Sequence, residues 1–147
     1  MTLFDDLRAS HEVQRSLART MTNARARADT RRTAYLDLAA ELDAHATAEE
    51  RHLYVPLLML DAGLRASRHA LADHHKAEKL VEQLRGVDPE APAFGELTLQ
   101  LSAEVREHLD EEEHGTFQLA GRLLTKTELR DLAAGYRTEY ENRSRRK

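Results

Sequence analysis

The chain carries one pattern of nitrogen and oxygen donors twice, in the same order and at the same spacing. His11 is followed 34 residues later by His45, within His45-Ala-Thr-Ala-Glu49-Glu50. His74 is followed 34 residues later by His108, within His108-Leu-Asp-Glu-Glu112-Glu113. On a helix, residues four apart lie one turn apart on the same face, so each H-x-x-x-E pair can reach one point. Imidazole and carboxylate brought to one spot by four helices is how bundles hold a pair of metal ions. The candidate metal donors are His11, His45, Glu49, His74, His108 and Glu112. If both carboxylates bridge, the six side chains and one oxo or hydroxo bridge leave two octahedral metals about two open positions. A closed structural site would leave none.

A plainer reading competes with this one. A single histidine on an apolar stripe is usually a satisfied core residue, and Glu111-Glu112-Glu113 alone looks like a solvated face. The joint pattern favours metal, because both H-x-x-x-E pairs sit on apolar stripes behind equally offset histidines. Burying four histidines and two carboxylates without a metal would cost several kcal/mol of desolvation.

The elements that must position these donors are helices. A third of the 147 residues are charged, and glycine and proline are scarce at 6 and 3, which favours an all-helical chain. The absence of cysteine removes disulfides, thiolate-bound zinc and iron–sulfur clusters together. No apolar run approaches a membrane span or a signal peptide, so a cytoplasmic location is the expectation. A net charge of −4 gives no general case for nucleic acid.

Periodicity predicts a first helix over about 4–21 and a second over about 30–60, with Pro56 kinking or ending it. A third helix is expected over about 66–85, with Leu71, His74, Ala77, Val81 and Leu84 facing inward. Gly86 and Asp88-Pro89-Glu90-Ala91-Pro92 make a loop. A fourth helix is expected over about 93–124, with Gly115 and Gly121 as possible bends. A short final helix over about 127–142 and a basic tail of Arg143, Arg145, Arg146 and Lys147 follow. The whole chain, 1–147, reads as one all-α domain. Its helix pairs, about 4–60 and 66–124, form an antiparallel four-helix bundle with a short additional C-terminal helix.

The order H … H-x-x-x-E … H … H-x-x-x-E resembles the hemerythrin-like (HHE cation-binding) family, over nearly the whole chain. Leu53-Tyr54-Val55-Pro56 resembles the aromatic-proline ending of the family's second helix, with one extra residue. The resemblance implies a cofactor of two non-haem iron ions, oxo- or hydroxo-bridged, in a four-helix bundle. It also implies a small partner ligand: O₂, nitric oxide or peroxide. Oxygen carriers of the family have a second histidine one turn after the lone one on the third helix, where this chain has Glu78. They close the last motif with an aspartate five residues after its histidine, whereas this chain has the pattern H-x-x-x-E, ending on Glu112. The chain is closer to the bacterial hemerythrin-like branch, and these departures argue against oxygen carriage as such.

Other residues rank lower. His75 lies on a polar stripe, and His69 and His114 read as surface residues. His52 follows the ligand stripe and is expected near the bundle end, against solvent or a carboxylate. Glu78 divides evenly between metal ligand and buried ion pair. Tyr54 follows His45 by nine residues and points away on a regular helix, unless a distortion ahead of Pro56 turns it inward. Glu50 and Glu113, one residue past the donors, are expected in solvent or behind the ligands. Arg25, Arg27, Arg31, Arg32 and the tail lack interleaved aromatics, so no nucleic-acid partner is expected. Three functions fit: small-ligand binding or sensing, a di-iron oxidase or peroxidase or iron-handling protein, and a zinc-holding or metal-free structural bundle.

Overall fold

The computed structural model describes residues 2–145, and these are helical throughout apart from short connections. Helix α1 runs Leu3–Met21 and opens with a capping box: Asp5 N–H donates to the Thr2 hydroxyl, and Thr2 N–H to the Asp5 carboxylate. Helix α2 runs Ala28–Glu49 and continues through a π turn, Glu50–Tyr54, into the short α3, Val55–Leu58. Pro56 sits in the first turn of α3, where it removes one backbone donor from the continuous helix, and the helix stops soon after. A 3₁₀ turn, Asp61–Gly63, leads into α4, Leu64–Leu84.

Gly86 takes φ 78°, the left-handed conformation that lets the chain reverse after α4. Helix α5, Pro92–Glu111, starts on proline and runs through a second π turn, Glu112–Thr116, into α6, Phe117–Leu123. Gly115 lies in that π turn, whereas Gly121 lies within α6.

The last helix differs from expectation. α7 spans Lys126–Arg145, as long as the helices that carry the donors. Thr125 and Glu128 form a second capping box at its start, by hydrogen bonds of 3.1 and 2.9 Å. Its apolar residues are sparse but share one face: Leu129, Leu132, Ala133, Tyr136 and Tyr140 pack on the core. Arg143 of the basic tail is held by Asp43, while Arg146 and Lys147 lie outside the described residues.

Two apolar clusters fill the molecule, one at each end. Leu3, Leu7, Leu53, Tyr54, Leu57 and Phe117 belong to one, and Met21, Leu38, Phe94, Leu101 and Leu109 to the other. The polar residues of the repeated pattern fall between them along each helix. Helix α2 packs on α1 and α7, and α4 packs on α5, but α2 and α4 touch little. A cavity of about 580 Å³ lies in that seam. Among the described residues, no helix is long and apolar enough to cross a membrane.

Candidate metal centre

The six residues singled out by spacing converge in the polar layer. His11, His45, Glu49 and Glu112 form one group whose donor atoms all lie within 4.8 Å of one another. Glu49, His74, His108 and Glu112 form a second such group. The two groups share both glutamates. All four histidines aim Nε2 inward: His11 lies 3.0 Å from Glu112, His45 3.4 Å from Glu49, His74 3.2 Å from Glu49, and His108 3.2 Å from Glu112. Glu49, at 0% exposure, and Glu112, at 1%, are sealed from solvent.

What stands behind each imidazole sets its tautomer. Nδ1 of His11 is 2.7 Å from Glu113, that of His74 is 2.8 Å from Glu50, and that of His108 is 3.1 Å from Asp73. An ionised carboxylate only accepts, so a neutral imidazole donates from Nδ1 and keeps its Nε2 lone pair free. Nδ1 of His45 instead faces the phenol oxygen of Tyr136, from α7, at 3.2 Å. Three of the partners are thus carboxylates and the fourth is a phenol.

The donor set fits a cation and fits little else. Nε2 of His11, Nε2 of His45, both oxygens of Glu49 and Oε1 of Glu112 are buried without a hydrogen-bond partner. Leaving several buried polar atoms unsatisfied costs roughly 1–3 kcal/mol apiece. Nε2 of His74 and Nε2 of His108 stand 3.1 Å apart, so two lone pairs would face each other without a cation or proton between them.

Protons compete for the same lone pairs. Burial lowers the His74 pKa, but the adjacent Glu49 and Glu50 carboxylates outweigh it and raise it to about 9. In His11 and His108, likewise, burial is overcome by neighbouring carboxylates, and both pKa values rise. Burial works to raise the Glu112 carboxyl, yet His108 and His11 hold it well below the usual range.

Tyr54 is the main departure from the sequence reading. Its phenol is fully buried and donates a hydrogen bond to Glu112 Oε2. Nine regular helical steps from His45 would turn it by about 180°, but the surplus residue of the π turn takes back about 100°. The distortion that could bring Tyr54 inward is therefore present. Burial first, then Glu112 and Glu49, push its pKa well above the usual phenol value. The signal in the sequence was an aromatic nine residues after both motif histidines, Tyr54 and Phe117.

The remaining candidates fall elsewhere. Glu78 is exposed and lines the seam cavity, so the expectation of a buried ion pair or added metal carboxylate is not met. It sits one turn beyond His74, where α4 diverges from α2. His75 is exposed while His74 faces the centre. Of the expected inward stripe on α4, Leu84 is buried but Leu71, Ala77 and Val81 are only partly so. Ser67, Ala70 and Asp73 occupy the deeper positions. His52 lies partly buried near Glu139 and against α7, as its spacing allowed. His114 is exposed, and Glu50 and Glu113 back the histidines.

A family model, "Hemerythrin HHE cation binding domain", matches residues 2–120. The crystal structure of a hemerythrin HHE cation binding domain-containing protein from Mycobacterium kansasii is similar at a TM-score of 0.83 and 23% identity. That match covers 98% of this chain and 88% of the other, and at that identity the likeness speaks to fold alone. No curated protein matches the sequence. The matched span ends before α7, which supplies Tyr136.

Proposed function

Because the chain belongs to the hemerythrin HHE cation-binding domain family, we propose that it is a non-haem di-iron protein reacting with O₂, nitric oxide or peroxide. The observation that carries this reading is the pair of donor groups sharing Glu49 and Glu112, with five buried atoms lacking a hydrogen-bond partner. Glu49 and Glu112 would bridge, His11 and His45 would serve one iron, and His74 and His108 the other. The helices carrying them read as an antiparallel four-helix bundle with α7 added along α2. When bound, such a pair supplies one-electron redox chemistry and open positions for a small ligand.

The chain's own residues favour reaction over reversible carriage. Tyr54 stays protonated at the buried face of the centre, and its hydroxyl donates to Glu112 and fixes the orientation of that carboxylate. Glu113, Glu50 and Asp73 strengthen the histidines as donors. The seam cavity reaches His45, His74 and His108, so a ligand can approach along that wall. An enzymatic reading, peroxide consumption by the same centre, is favoured by the seam cavity, which opens three of the histidines to a small substrate.

Metal analysis of protein from iron-rich growth, with its visible spectrum, tests the centre. About two irons per chain are expected, and zinc alone would sink the reading. Anaerobic reduction, an O₂ pulse and argon purging then separate reaction from carriage: recovery of the diferrous spectrum would show a carrier.

A further inference from the structure

A second set of metal-binding side chains lies outside the buried centre, where α4 meets the end of α5. Nε2 of His69 is 2.8 Å from Glu111 Oε2 and 3.4 Å from Asp73 Oδ2. The three donors lie within 4.8 Å of one another. Metal–ligand bonds near 2.1 Å at octahedral or tetrahedral angles put neighbouring donors roughly 3.0–3.4 Å apart. The two spacings at His69 therefore need little adjustment. Two carboxylates and one neutral imidazole balance a divalent charge, and the imidazole selects a transition metal such as Fe(II) or Zn(II) over magnesium or calcium.

An ordinary surface ion pair explains His69 with Glu111, since both are exposed, and backing His108 explains the burial of Asp73, but neither accounts for the same Asp73 oxygen also facing His69. Asp73 is only 6% exposed, and its Oδ2 faces both His69 and Nδ1 of His108. The cluster is no by-product of the repeat either. Shifted by the 63-residue repeat, the corresponding positions are Asp6, Ser10 and Ala48, which cannot make such a set. A cavity of about 480 Å³ opens beside it, lined at its outer part by His69 and Glu111 and also by His108 and Glu112.

We propose that His69, Asp73 and Glu111 bind a third, exchangeable divalent transition-metal cation, and that this is the station from which the buried centre is loaded. Solvent completes the coordination at the exposed side, so the cation exchanges freely. Asp73 joins the station to the centre, because a carboxylate has lone pairs enough for a cation and for His108 together.

Iron-saturated protein, freed of loose metal, is titrated with Zn(II) by calorimetry beside His69→Ala, Glu111→Gln and, as control, His75→Ala. About one extra zinc per chain is expected, weakened about tenfold or more by the first two changes and untouched by the third. No extra zinc, or equal binding in all four proteins, overturns the site. Stripped His69→Ala should then take up Fe(II) several-fold more slowly than the parent, to the same final content; equal rates overturn the loading role. Both substitutions are at exposed positions, and circular dichroism confirms folding. A buried centre that takes no iron would defeat the proposed function yet leave the zinc comparison readable.

Discussion

Tyr54 donates a hydrogen bond to Glu112, whereas Phe117, its counterpart 63 residues on, has no hydroxyl to offer Glu49. One pair of histidines is backed alike in the two halves, Glu113 behind His11 as Glu50 is behind His74, and the other is not, with Asp73 behind His108 and Tyr136 behind His45. One bridging candidate thus has a proton donor and the other has none. Phe117 instead stacks on the His11 ring at 5.7 Å.

Tyr54→Phe should leave both central glutamates without a phenol donor. Iron content is expected to hold, while the stripped protein loses about 2 kcal/mol, the worth of a hydrogen bond to a buried carboxylate. Chemical denaturation of stripped protein measures the loss. The rate of peroxide consumption should fall as well, because Glu112 loses the group that orients it, and an unchanged rate would remove Tyr54 from the chemistry.

Glu49→Ala and Glu112→Ala each remove an atom set common to both donor groups. Occupancy of both metals should drop together in either variant, by metal analysis. Loss of one metal with the other retained would show that the carboxylate serves a single ion.

Helix α4 presents His74 to the centre and His75 to solvent. His74→Ala should bleach iron-to-ligand absorption, and His75→Ala should leave it intact. The visible spectra of the two variants decide the point, and the opposite outcome would require a shifted register for α4.

Protonation and metal binding should give opposite pH dependences. The folded pKa of His74, about 9, exceeds its ordinary 6.5. The protonated histidine therefore stabilises stripped protein fully below about pH 6.5, and that contribution is lost as pH rises through about 9. His11 and His108 shift the same way. Metal binding displaces these protons, so iron affinity should rise over the same window. Melting curves at pH 6.5 and 9 should show the stripped protein weakening and the gap to loaded protein widening.

Gly135 has no room for a side chain, because a Cβ would collide with the His52 ring. Gly135→Ala should push α7 off α2 and cost about 1–3 kcal/mol by overpacking. Since the neighbouring Tyr136 backs His45, iron retention against a chelator should fall as well; unchanged retention would uncouple α7 from the centre.

The helices and the six converging residues were readable because the periods of apolar and donor residues coincide. His45, Glu49, His108 and Glu112 lie on regular α-helix up to the π turns, so spacing alone places them. Tyr54 lies beyond a π turn, where the 100° rule fails, and it was misjudged for that reason. Asp73 was invisible because it neighbours the more conspicuous His74, and its contact with His108 comes from another helix. The length of α7 was underestimated because its core-facing residues are few, though Thr125-Lys126-Thr127-Glu128 is a capping-box sequence.

The two π turns also bear on insertions and deletions. Each holds one residue more than an α-helix of the same rise, the first beginning just after Glu49 and the second at Glu112, the two candidate bridging glutamates. A single deletion between 51 and 53 would let the helix heal into regular hydrogen bonding, at little cost to backbone continuity. The direction of Tyr54 would survive, since the healed helix also puts eight regular steps between it and His45. A single insertion would instead have to be absorbed elsewhere or swing the phenol about 100° aside. The ligand helices are therefore asymmetric in their tolerance of length change: shortening at the bulge is benign, and lengthening is not.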